Sequence, residues 1–135
     1  MTFKNLSTRR ASLALALILA ATPSGLVAAP QDYRFELAGT PQPASGGKSL
    51  VSVRLVRTKD GKPVTDAVVF EAKADMGPAN MAAMTAPVRP MPAKDGLYRF
   101  EVEPSMAGLW ALNLAAKVQG EAETVRGSVV ADLAK

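Results

Sequence analysis

Six runs in this sequence alternate apolar and polar residues with a period of two, and nothing else in it limits the fold as strongly. In YRFEL (33–37), Tyr33, Phe35 and Leu37 fall on one side, with Arg34 and Glu36 on the other. The same period sets Val51, Val53 and Leu55 against Ser52 and Arg54, and Val68, Phe70, Ala72 and Ala74 against Glu71, Lys73 and Asp75. Tyr98, Phe100 and Val102 form a fourth row, Trp110, Leu112, Leu114, Ala116 and Val118 a fifth, and Val125, Val129, Ala131 and Leu133 a sixth. Successive side chains of an extended strand point to opposite faces, so each run buries one face and wets the other, as antiparallel sheets do. Turn-forming stretches separate the runs: PQPASGG (41–47), Lys59-Asp60-Gly61-Lys62-Pro63, Lys94-Asp95-Gly96 and Gly120-Glu121-Ala122-Glu123. The expected fold is all-β, an immunoglobulin-like antiparallel β-sandwich of six to seven strands. The seventh is sought in residues 85–92, where prolines would confine it to a sheet edge. No stable helix is expected after the N-terminal leader.

That leader occupies residues 1–29. Lys4, Arg9 and Arg10 precede the apolar run ASLALALILAA (11–21), and small residues end at Ala28 and Ala29 before Pro30. This is the layout of an export signal cut at about residue 28 or 29, and the apolar run is shorter than the ~20 residues of a membrane span. The expected location is periplasmic, and no cysteine is present to carry a lipid anchor. Sixteen basic side chains less these three leave thirteen against twelve acidic ones, so the net charge of +4 belongs mainly to the leader. With no basic stripe and few aromatic residues, nucleic acid is not an expected partner. Residues 30–135 are enough for one small domain.

Cysteine and histidine are both absent. Thiol and imidazole catalysis are thereby removed, together with the usual ligands of zinc, haem and Cu(II). What remains is a concentration of methionine. ADMGPANMAAMTAPVRPMP (74–92) carries Met76, Met81, Met84 and Met91 in a stretch so broken by Gly and Pro that it reads as an irregular loop, and Met106 follows the fourth strand. Two readings stay open. Methionine is an adaptable filler of cores, and thioether sulfur is also a neutral, soft donor suited to Cu(I) or Ag(I). Met76 is in phase with Phe70 and Ala74 and reads as core. Met81 and Met84, three apart, would share a face if the loop made one helical turn, and they are the first candidates as ligands, with Met91, Met76 and Met106 completing the set.

The run Gly96-Leu97-Tyr98-Arg99-Phe100 followed by Met106-Ala107-Gly108-Leu109-Trp110, downstream of a methionine-and-proline segment, resembles the YtkA-like group of exported domains, itself similar to the FixH-like proteins. The resemblance covers roughly residues 32–133. It implies an immunoglobulin-like sandwich outside the cytoplasm, in service beside a heavy-metal efflux or copper-oxidase assembly protein of the membrane. One departure is the lack of histidine, which many exported copper carriers combine with methionine. Tyr98 and Trp110 read as core aromatics, Asp60-Gly61 as a turn, and Arg89 as a cap or partner contact. Glu101 and Glu103 lie on a wet strand face, which supplies no cleft for acid-base chemistry. The expected role is that of a non-enzymatic accessory; a metal-independent interaction module is the alternative.

Overall fold

The computed structural model describes residues 32–135; the leader and its cut lie outside the described residues. Two antiparallel sheets make a β-sandwich. One contains β1 (Tyr33–Leu37), β2 (Gln42–Ala44), β3 (Lys48–Arg57), β6 (Val88–Lys94) and β7 (Leu97–Val102). Its order is β1-β3-β7-β6, and β2 continues β1 along the same edge of β3. The other contains β4 (Val68–Met76), β5 (Met81–Ala86), β8 (Gly108–Lys117) and β9 (Val125–Leu133), in the order β5-β4-β8-β9.

All six alternating runs are strands, and the proline-bearing edge strand is β6, the outermost of its sheet. Pro90 and Pro92 lack the N–H that a central strand would need, and an edge tolerates that. Among the described residues there are nine strands, not six to seven, because two strands leave no alternation to read. β2 is three residues centred on Pro43, and β5 is the sequence MAAMTA. Residues 74–92 are therefore not an irregular loop. They form the end of β4, a 3₁₀ turn at Gly77–Ala79, then β5 and β6, with Pro87 at the crossing from one sheet to the other.

The inward rows meet in one core that includes Tyr33, Phe35, Val51, Val53, Leu55, Phe100, Trp110 and Leu133. Phe35 lies over Gly127 of β9, where a Cβ would come within 2.8 Å of the ring. β4 departs from its expected row. A bulge between Val69 and Glu71 adds one residue against β8, and this reverses the phase. Ala72, Ala74 and Met76 face inward after it, whereas Val68 and Phe70 are 64% and 53% exposed. Between β6 and β7, Asp95 and Gly96 both take positive φ (54° and 74°), the two-residue reversal that suits a hairpin.

Tyr98 ties the crossover from β3 to β4. Its hydroxyl donates to the Val64 carbonyl at 2.7 Å and accepts from the Ala67 N–H at 3.0 Å. Tyr98→Phe should cost about 1–3 kcal/mol at neutral pH, since both backbone groups lose their partner. Burial pushes the Tyr98 phenol above its ordinary pKa of 10.0, with the Ala67 bond opposing. A raised pKa means that the folded state holds the proton more tightly. The corresponding stability is complete below pH 10 and is lost as pH rises through the folded value. Denaturant unfolding between pH 8 and 11 should show a shallower alkaline decline in Tyr98→Phe. Some decline should remain through Tyr33, whose pKa is raised by its bond to Glu121. An unaltered slope would count against this role.

Candidate functional site

Three of the five candidate methionines lie at one end of the sandwich, and local structure explains why. Met76 closes the inward row of β4 and is 2% exposed. The turn Gly77–Ala79, ended by Asn80 at φ 59°, reverses the chain so that Met81 becomes the register partner of Met76. Asp75, next to Met76 but on the other face, holds this turn. One carboxylate oxygen accepts the Gly77 N–H at 2.8 Å and the other accepts Asn113 Nδ2 at 2.7 Å.

The second wall of this end is the run Met106-Ala107-Gly108-Leu109-Trp110. The turn Gly77–Ala79 packs against β8, whose first residue is Gly108. Gly108 has φ 143°, which L side chains rarely adopt, and a Cβ there would stand 3.1 Å from the Met76 Cε. Trp110, 1% exposed, donates its indole N–H to the Met106 carbonyl at 3.1 Å. The glycine thus leaves room for the tip of Met76, and the tryptophan pins the backbone that carries Met106. The result is a rim in which Met76 is buried while Met81 and Met106 are 37% and 41% exposed.

Met81 and Met84 do not share a face, and Met91 lies on the other sheet. Residues 81–86 form a strand and not a helical turn, so positions three apart fall on opposite faces. Met81 is accordingly exposed and Met84 packs against the core. Met91 belongs to the other sheet, opposite Arg99, and lines a small cavity of about 90 Å³ with Val69, Tyr98 and Phe100.

Elsewhere, charges are mostly engaged with one another. Glu101 receives Lys48 at 3.1 Å and Arg89 at 3.4 Å, so Arg89 is a partner of this carboxylate. A cleft of about 640 Å³ lies at the end opposite the rim and has walls of both signs, including Asp32, Arg57, Lys59, Asp66 and Glu121. Among the described residues, no three Asp or Glu side chains gather as a hard-metal set. The methionine rim offers a different chemistry: uncharged thioethers, two on exposed residues and one in the core. In the sequence, Gly108 is legible only as part of a motif and Trp110 as a core aromatic within it. Their roles as spacer and pin depend on the approach of Met76 from a distant strand, which no local pattern records.

The model of the family described as YtkA-like matches residues 27–115, more than half of the chain. The chain belongs to the YtkA-like family. The match runs from before β1 into β8, so both walls of the rim in this YtkA-like domain lie within it, and β9 lies beyond. No curated protein sequence matches the chain. In fold, this YtkA-like domain is similar to the crystal structure of a DUF4426 family protein from Pseudomonas aeruginosa PAO1. The TM-score is 0.51 at 15% identity, over 76% of this chain and 88% of that one.

Proposed function

We propose that this YtkA-like domain is a periplasmic accessory in copper or silver handling, which takes up Cu(I) or Ag(I) transiently through methionine sulfur and passes it to a membrane efflux or oxidase-assembly protein. The observation that carries this reading is the placement of Met76, Met81 and Met106 at one end of the domain, two of them exposed. Soft monovalent ions accept neutral thioethers, whereas Zn(II) prefers nitrogen, oxygen or thiolate. Thioethers have no proton to lose, so binding would persist over a wide pH range. The mature domain should compete with a chromophoric Cu(I) chelator near one equivalent and leave Zn(II) unbound. Met81→Ala combined with Met106→Ala should weaken that competition at least tenfold. Competition that is absent, or unchanged in the double variant, would sink the proposal.

A metal-independent interaction module is the second reading, and a different observation favours it. β5 pairs with β4 only from Ala74 onward, so residues 68–73 have no strand on that side among the described residues. Val68 and Phe70 are exposed on the same stretch. Such an edge suits addition of a partner strand. Capture of an envelope protein that survives chelators and is lost in Phe70→Lys would support this reading over the first.

A further inference from the structure

We propose that the rim is also a site of reversible oxidation, at which conversion of Met81 and Met106 to sulfoxides switches off soft-metal binding while the fold persists. The switch rests on the thioether reading above; the order of oxidation does not. The chain has no cysteine, and its one tryptophan is buried, so exposed methionine sulfur is the first target of a two-electron oxidant. Exposure separates the rim sulfurs sharply. Met106 and Met81 are open to solvent, whereas Met76 is 2% exposed with its methyl group against Gly108.

A hydroperoxide is the natural co-reactant. With hydrogen peroxide, a sulfur lone pair attacks one peroxide oxygen and the O–O bond breaks; the departing hydroxide takes the proton that the transferred oxygen carried, leaving the sulfoxide and water. Sulfur loses two electrons and gains one oxygen atom; the peroxide is reduced. The lone pair consumed is one that a soft ion would have accepted, and the sulfoxide offers a hard oxygen in its place. Because Met81 and Met106 point away from the packed interior, their added oxygens can be hydrated. An oxygen on Met76 would instead be buried without a partner and would disturb the core.

Hydrogen peroxide treatment of the folded protein, followed by peptide mass mapping, tests the order. Met106 and Met81 should be oxidised at least ten times faster than Met76, with Met84 and Met91 between, and circular dichroism should stay native through the fast phase. Ag(I), which peroxide does not cycle, then reports on the site. The reduced protein should bind it, the fast-phase product should bind at least tenfold more weakly, and prior Ag(I) loading should slow oxidation of Met81 and Met106. Methionine sulfoxide reductases should restore binding. In Met81→Leu with Met106→Leu, which keeps apolar side chains at the rim, the fast oxygen uptake on the peptides carrying residues 81 and 106 should vanish. Oxidation of Met76 as fast as that of Met106, or undiminished Ag(I) binding by the fast-phase product, would overturn the proposal. Failure of the reduced protein to bind Ag(I) would defeat the metal reading and the switch together, leaving the ordered oxidation standing by its own readout.

Discussion

Trp110→Ala is expected to destabilise the domain by about 3–5 kcal/mol, the range for removing a buried large aromatic side chain. Trp110 is among the largest fully buried side chains and belongs to the central core cluster. Its loss would also remove the N–H that holds the Met106 carbonyl, so the effect should reach the rim as well as the core. Denaturant unfolding followed by far-UV circular dichroism measures the first part, since the substitution removes the only tryptophan fluorophore. Trp110→Phe separates the two contributions. It keeps an aromatic ring in the core but cannot donate to Met106, so amide exchange in the 104–107 turn should rise even where most of the stability is retained. A Trp110→Ala loss below 1 kcal/mol would contradict the burial that the structure assigns to this side chain.

Gly108→Ala should cost about 1–3 kcal/mol. The larger part comes from φ 143°, a backbone region that only glycine enters freely. The remainder comes from the new methyl group pressing on the Met76 Cε, 3.1 Å away. The contributions can be separated with a double-mutant cycle. In a Met76→Ala background the steric part disappears and the backbone part stays, so Gly108→Ala should be milder there by several tenths of a kcal/mol. Additive effects would mean that Met76 does not press on Gly108. If Met106 and Met76 act together on soft metal, Gly108→Ala should also weaken Cu(I) competition in protein that remains folded.

Residue order alone was enough to define the two-layer architecture, because a period of two records directly which face of a strand is wet. Tyr98, Phe100 and Val102, or Trp110 through Val118, needed no knowledge of their neighbours to be assigned inward. Prolines 90 and 92 marked an edge strand for an equally local reason, the missing N–H. The lack of cysteine and histidine was likewise plain from composition. The position of Phe70 was not legible in this way. Its exposure follows from one extra residue in β4 relative to β8, and a bulge is a property of the pair of strands.

The methionines divide along the same line. Their number and softness are visible in the chain, but which of them share a place is decided by long-range pairing. Met81 and Met84 separate because an alanine-rich stretch with no alternation is recruited as an edge strand by β4. Met91 leaves because Pro87 marks the crossing to the other sheet, and Met106 joins Met76 because β8 begins beside the end of β4. Local sequence thus sets which face each strand residue presents, and sheet pairing sets which distant residues become neighbours, since contacts between strands thirty residues apart have no counterpart in any short window.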